Sequence, residues 1–229
     1  MSKLFLNMLL TYAEENYLKA IYKLREGNNS RISTNSIAGV VATAPASVTD
    51  MIQKLAEKKL VNYERYQGVS LTSQGIKSAV NVIRKHRLWE LFLVDKLGFN
   101  WDEVHEIAEQ LEHIQSESLV KKLYVFLDKP KWDPHGDPIP DEQGNFHLQK
   151  TFTLASAAMN DKLVISGVVD HRADFLQYLD KIGLSLGKKI TVKDITAYDS
   201  SMTLSIGGTK IVKHISADVA KNILVAFSK

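Results

Sequence analysis

Between Arg84 and His113 the chain carries imidazoles and carboxylates at helical spacing. The first run is Arg84-Lys85-His86-Arg87-Leu88-Trp89-Glu90, and the second is Val104-His105-Glu106-Ile107-Ala108-Glu109-Gln110-Leu111-Glu112-His113. On a helix His86 and Glu90 sit one turn apart and share a face. At about 100° per residue, with His105 as the origin, Glu109 falls at about 40°, Glu112 at about −20° and His113 at about 80°. The apolar Val104, Ile107, Ala108, Leu111 and Ile114 occupy roughly 180–300° on the same count. Donor face and core face are therefore opposed. Imidazole plus carboxylate without thiolate suits Mn(II), Fe(II), Zn(II) or Co(II). A solvated acidic face would have the same composition, and spacing alone does not separate the two.

Elements must hold these donors, and the composition bounds what they are. The 229 residues, 45% of them hydrophobic, suffice for one large domain or two to three small ones. With no cysteine there is no disulfide framework, thiolate catalysis or Cys-type zinc site, which fits a reducing cytoplasm. Met1 to Leu10 is apolar but short, with one lysine and no small-residue cleavage site. Neither a signal peptide nor a membrane span is expected. The net charge of +3 is uneven: residues 1–80 hold 10 Lys/Arg against 6 Asp/Glu, and residues 81–130 hold 7 against 9. A basic first third before an acidic segment fits polyanion binding next to cation binding.

Thr11-Tyr12-Ala13-Glu14 is a capping-box pattern, opening a helix that carries Tyr17, Leu18, Ile21, Tyr22 and Leu24 and ends near Gly27-Asn28-Asn29. A short helix from Thr34 follows, then a turn and a new helix start at Thr43-Ala44-Pro45-Ala46, with Pro in the first turn. Two short strands, Val61 to Tyr66 and Val69 to Thr72, join at Gln67-Gly68. This is the order of a winged helix-turn-helix. Its second helix would present Pro45, Ala46, Ser47, Thr49 and Asp50 to base edges in a major groove. Arg65 in the hairpin, with Lys54, Lys58 and Lys59, would reach phosphates. The same scaffold also serves protein contacts.

Thr72 or Ser73 caps a long helix to about Leu97; Asn100 to Glu103 caps the next, ending near Gln115; Ser116-Glu117 opens a third. Leu88, Trp89, Leu91, Phe92, Leu119, Leu123 and Phe126 exceed what a small core needs, so these helices are expected either to dimerise or to pack on the Tyr17/Ile21 helix. Four of the five prolines lie between Pro130 and Pro140, which predicts a semi-rigid extended connector, with His135 and His147 on its surface. Strands at Thr151 to Leu154, Leu163 to Val169, Lys189 to Val192, Met202 to Ile206 and Lys210 to Ile215, a helix at Arg172 to Ile182 and a terminal helix from Ser216 imply a small SH3-like barrel. The expected fold is mainly α with a small β domain. Its boundaries are a winged helix-turn-helix at 1–72, a helical metal-binding and dimerisation domain at 73–128, a proline-rich connector at 129–150 and an SH3-like (FeoA-like) barrel at 151–229.

Glu15-Asn16-Tyr17-Leu18-Lys19-Ala20-Ile21-Tyr22, Ser47-Val48-Thr49, Arg84-Lys85-His86-Arg87-Leu88, Val104-His105-Glu106, Glu112-His113 and Asp133-Pro134-His135-Gly136-Asp137-Pro138-Ile139-Pro140 together resemble the diphtheria toxin repressor family of metal-dependent transcriptional repressors, including its manganese transport regulators. The resemblance covers the whole chain and implies two metal sites per subunit. One would use Asn16, Glu109, Glu112 and His113. In the family's iron branch a sulfur ligand stands at the position of Glu109 and a Met at that of Asn16, whereas the manganese branch has carboxylates at both. Glu109 sides with Mn(II), a hard ion that prefers oxygen; Asn16 departs from both branches. Glu15, about 100° away on the helix, is a weaker candidate. The other site would use His86, Glu90 and His105, completed from the barrel by His171 and Asp174. In short manganese regulators a first-helix Glu serves instead, and here that position is Lys19.

The resemblance implies a cytoplasmic, homodimeric repressor of metal-uptake genes, binding a double-stranded operator with Mn(II) or Fe(II) as corepressor and no membrane partner. An iron-dependent repressor of the same family is the alternative, as is a winged-helix regulator answering to an organic ligand. A di-metal carboxylate enzyme needs a Glu-x-x-His pair on each of two helices. Gln110 and Ile83 stand three residues before His113 and His86, so that motif fails.

Overall fold

A computed structural model describes residues 9–25, 31–207 and 211–228, which form two compact units. The expected end of the first helix at Gly27-Asn28-Asn29 lies outside the described residues.

The first unit comprises the chain to His86 with Glu112–Gln115 and Pro140–Asn145. Its helices are α1 (Tyr12–Arg25), α2 (Thr34–Val40) and α3 (Pro45–Glu57), followed by strands β1 (Val61–Glu64) and β2 (Gly68–Leu71). The capping box forms as expected: Thr11 N–H donates to Glu14 Oε2 at 2.9 Å, and Glu14 N–H donates to Thr11 Oγ1 at 3.3 Å. Helix α3 has Pro45 at its start and buries Val48, Ile52 and Leu55, a 3–4 spacing that keeps the opposite face free. Ile32 exchanges backbone hydrogen bonds with Val69, so the hairpin gains a one-residue third strand. The hairpin turn sits at Arg65–Gln67, earlier than the expected Gln67-Gly68, and Tyr66 takes a positive φ of 66° there. The long helix α4 (Ser73–Leu97) begins in this unit.

The second unit holds the rest of α4 from Arg87, α5 (His105–Leu111), α6 (Glu117–Phe126) and the C-terminal β domain. Helix α5 is shorter than expected. Asn100 to Glu103 form a turn, closed by Glu103 Oε2 accepting from Asn100 N–H at 3.0 Å, and the helix ends at Leu111. The strands are β3 (Phe152–Thr153), β4 (Lys162–Val168), β5 (Lys189–Ile195), β6 (Met202–Ile206), β7 (Val212–Ile215) and β8 (Ile223–Phe227), with α7 (Ala173–Ile182) and α8 (Ala217–Lys221) between them. They form one antiparallel sheet in the order β3-β8-β4-β5-β6-β7. Strand β8 is absent from the sequence-based expectation, which assigns that stretch to the terminal helix. Leu163, Ile165, Leu176, Leu179, Val192, Leu204 and Val225 are among the buried core. Bulges at Ile165/Gly167 in β4 and Val192/Asp194 in β5 add the twist that lets so short a sheet curl around that core.

The proline-rich connector, expected to be semi-rigid and extended, is also held against its surroundings. Arg87 holds it by donating to Pro138 O at 2.5 Å and to Asp137 Oδ2 at 2.9 Å. On its other side Val168 N–H donates to His135 O at 3.0 Å. Gly136, at φ 89°, packs so tightly on β4 that a Cβ there would stand 2.2 Å from Ser166 O. Trp101 Nε1–H donates to Asp180 on α7 at 2.8 Å, and Gln177 to Asp102 at 2.7 Å. Prolines restrict the chain without deciding what it lies against. Among the described residues no helix is long and apolar enough to cross a membrane.

Candidate functional site

In the first unit, α1 and the turn following α5 bring a group of charged residues out of solvent. Glu112 is fully buried; Glu15, Lys19, His86 and His113 are nearly so. Glu112 and His113 lie just past the end of α5, in a turn. His113 Nδ1 stands 2.5 Å from Glu15 Oε2, and its Nε2 lies 3.7 Å from Glu112 Oε1. Lys85 Nζ at 3.4 Å and Gln115 Nε2 at 3.3 Å hold Glu15 Oε1. A carboxylate taking the proton of one imidazole nitrogen leaves the other nitrogen's lone pair for a cation, the usual outer partner of a metal-bound histidine. Glu15, a weaker ligand candidate by sequence, stands against His113 Nδ1 in the place of such an outer partner. Tyr12 stacks on the His113 ring with centroids 4.5 Å apart.

Glu112 is shared. Lys19 Nζ donates to Oε1 at 2.5 Å, and His86 Nδ1 stands 2.7 Å from Oε2. Asn16 has a buried Oδ1 with no hydrogen-bond partner. An orphaned amide oxygen on α1, the helix that also carries Glu15 and Lys19, is of a type that fits a hard divalent cation.

The second unit holds another group. Glu90, Asp133 and His135 are buried, with one donor atom from each lying within 4.8 Å of the others. Here the sequence-based expectation needs correction: His135 is a core residue, 1% exposed. Its Nε2–H donates to Trp101 O at 2.7 Å, which turns Nδ1 toward Glu90 Oε2 at 3.7 Å. Asp133 Oδ1 accepts backbone N–H bonds from His135 and Asp137, each 2.9 Å long, folding the Pro134-His135-Gly136 turn around itself. Burial, with Asp137 and Glu90 close by, pushes the Asp133 carboxyl up to about 7. His135 resists the same burial because Glu90 and Asp133 favour its imidazolium, and it is lifted to about 9. Negative charge so concentrated favours a proton on His135, and the same donors could hold a metal cation in its place.

His105 lies 3.3 Å from Glu90 Oε1 through Nδ1 and 3.6 Å from Glu109 Oε1 through Nε2, half in solvent. His171 stacks on His135 at 4.9 Å with a buried, unpartnered Nε2. Burial, and the neighbouring imidazolium of His135, hold His171 below the ordinary histidine range. His105 and His171 share the wall of a cleft of about 570 Å³ with Asp102, Glu103, Glu106, Arg172 and Ala173. Asp174 does not join them as expected: it is exposed, and its carboxylate accepts from Phe175 N–H at 2.8 Å. Helical periodicity could not find Asp133 and His135, because their signal is the Asp-Pro-His-Gly-Asp turn itself.

Pro45, Ala46, Ser47 and Asp50 are exposed at the start of α3, and Lys54 one turn on. Thr49 is half-buried and donates its hydroxyl to Pro45 O at 3.1 Å, so its methyl is the group it can offer outward. Arg65 lies exposed at the hairpin tip over the Tyr66 ring. Lys58, expected at phosphates, is engaged with Glu14 at 2.6 Å.

Residues 9–69 match the description "Iron dependent repressor, N-terminal DNA binding domain", residues 72–141 "Iron dependent repressor, metal binding and dimerisation domain", and residues 152–226 "FeoA domain". An uncharacterized HTH-type transcriptional regulator of Methanocaldococcus jannaschii is 38% identical over 51% of this chain and 94% of its own. The iron-dependent repressor IdeR of Mycobacterium leprae is 33% identical over 55% of this chain, but only 54% of the relative is matched. A solved structure, a manganese-dependent transcriptional repressor in complex with manganese, is 31% identical with a TM-score of 0.82, covering 94% of this chain and 100% of that one. Donor clusters, winged helix and C-terminal β domain agree with these matches, and the chain belongs to the iron-dependent repressor family of metal-dependent transcriptional repressors, which includes the diphtheria toxin repressors.

Proposed function

We propose that this chain is a cytoplasmic, homodimeric repressor of metal-uptake genes, activated by Mn(II) and acting by binding an operator rather than by catalysis. The observation that carries the reading is the buried Glu112/His113 pair, with the orphaned Oδ1 of Asn16 on α1: oxygen and imidazole donors and no sulfur. A divalent ion there would supply the double positive charge that ties α1 of the winged helix to the turn bearing Glu112. The chain's own groups prepare this: Glu15 fixes the His113 tautomer, and Lys85 and Gln115 fix Glu15. Oxygen donors favour Mn(II) over thiophilic ions, and Fe(II) is the nearest competitor. Only the ion's preference for the DNA-competent arrangement shifts the population toward it. For the second metal position we propose Glu90, Asp133 and His135, whose buried donors support it better than Asp174 does, with His105 and His171 alongside. Exposed Leu119, Val125 and Phe126 on α6 would meet the second subunit.

The functional domains would follow residues 1–72, 73–128, 129–150 and 151–229. The test is operator binding after chelation, with Mn(II), Fe(II) and Zn(II) restored separately without oxygen. Chelation should abolish binding and Mn(II) restore it; Glu112→Ala or His113→Ala should stay inactive while folded. Undiminished binding in excess chelator would instead favour a regulator of an organic ligand.

A further inference from the structure

Lys58 is the residue that ends α3, and its Nζ stands 2.6 Å from Glu14 Oε1 at the start of α1. The Glu14 side chain is only 7% exposed and that of Lys58 24%, so this is not a pair of mobile surface groups. Exposed ion pairs contribute little, mainly because two long side chains must be immobilised in one geometry. Here the carboxylate is fixed beforehand. Its other oxygen, Oε2, accepts Thr11 N–H at 2.9 Å in the capping box, and Glu14 N–H donates back to Thr11 Oγ1 at 3.3 Å. The ammonium in turn sits at a helix C-terminus, where unsatisfied carbonyls favour positive charge.

The same turn of α1 faces the proposed metal group. Tyr12 stacks on His113, and Glu15 Oε2 stands 2.5 Å from His113 Nδ1. Neighbours in sequence thus hold different partners: Glu14 the end of the recognition helix, Glu15 the turn that carries His113. The opposite end of α3 exposes Pro45, Ala46 and Ser47. Its 13 residues make the helix about 20 Å long, so a tilt of about 5° at Lys58 moves that end by about 1.7 Å. Base contacts do not survive such a displacement, because hydrogen bonds weaken steeply outside a narrow range of distance.

Resting on the manganese reading above, we propose that Glu14 and Lys58 form the link through which α1, held at His113, sets the angle of the recognition helix. Lys58 is then a positioning residue and not a phosphate contact. The two roles predict opposite signs for Glu14→Gln, since glutamine keeps the capping box and removes the charge. A phosphate-binding Lys58, released from Glu14, would tighten binding to any DNA and steepen its salt dependence. A positioning Lys58 would lose its anchor, and operator binding alone would weaken.

The test uses the full chain: wild type, Glu14→Gln, Lys58→Met, the double variant and Lys58→Arg. Operator and random-DNA affinities are measured by anisotropy across a salt series, in chelator and in saturating Mn(II), with Mn(II) calorimetry on the DNA-free proteins. Glu14→Gln and Lys58→Met should each reduce the Mn(II)-induced gain in operator affinity by about fivefold or more, the low end of couplings between sites. The double variant should be no worse than either, because both remove one contact. Lys58→Arg, which keeps the charge, should retain most of the gain. Salt slopes should stay at the wild-type value, and Mn(II) affinity without DNA should change less than twofold. Tighter binding of both DNAs by Glu14→Gln, or a salt slope lower by about 1 in Lys58→Met, makes Lys58 a phosphate contact and overturns the proposal. Additive losses, or no loss, in folded variants overturn it as well. A wild type whose operator affinity does not rise with Mn(II) refutes the manganese reading instead, and the link falls with it. Should Lys58→Met not fold, the sign of the Glu14→Gln effect decides.

Discussion

Replacing Glu15 by Gln tests how the chain prepares His113 without touching a proposed ligand. The carboxylate stands 2.5 Å from Nδ1 and is itself 4% exposed, so no water replaces it when its charge is removed. Glutamine keeps the shape and an acceptor oxygen but loses the charge that raises the basicity of Nε2. It also offers an N–H₂ group that can face Nδ1 and stabilise the wrong tautomer. Losing such an outer partner typically weakens metal affinity by about 10–100-fold, or about 1.4–2.7 kcal/mol. Lys85 loses its carboxylate partner at the same time, which pushes the effect upward in that range. The assay is Mn(II) calorimetry on Glu15→Gln, His113→Ala and the double variant. Because Glu15 acts through His113, its effect should vanish in the His113→Ala background, giving a coupling energy close to the whole single-variant loss. Equal losses with and without His113 would mean that Glu15 contributes as a ligand or as a bulk charge, and the orienting role would be wrong.

Three further outcomes follow from other parts of the molecule. Ser47→Ala with Thr49→Ala should narrow the difference in affinity between operator and random DNA, whereas Lys54→Ala should weaken both and reduce the salt slope by about 1; fluorescence anisotropy across a salt series separates them. His135 is raised to about 9, so its stabilising charge is fully present below its ordinary value near 6.5 and is lost as pH climbs through 9. Asp133, raised to about 7, removes stability as it ionises between its ordinary value near 4 and 7. Melting temperature in chelator should therefore fall from pH 5 to 9.5, Mn(II) should flatten the fall, and a flat chelator profile would remove the charged pair from the account. Gly136→Ala forces a Cβ into Ser166 O at a positive φ, and should lower the melting temperature measurably, by more than the few degrees expected of about 1 kcal/mol.

Much of the architecture is written in local pattern. The capping box at Thr11, the proline that starts α3, the hairpin after it and the 25 residues of α4 are each set by neighbours within a few positions, where backbone geometry alone decides. Donor chemistry is equally legible, because hard oxygens and imidazoles without sulfur are a matter of residue type. Strand β8 escaped because five residues after a helix cap carry too little alternation to compete with a continuing helix; its pairing with β3 and β4 is what makes it a strand. What each donor does was decided by contacts that periodicity does not reach. Lys19 meets Glu112 across 93 positions and Glu15 meets His113 across 98, contacts that no local spacing in the sequence encodes. His135 reads as exposed because its connector has no helical face, yet Arg87, Trp101 and β4 enclose it. The sequence determines which charges exist; only the tertiary structure removes them from water, and burial makes each of those charges need a specific partner.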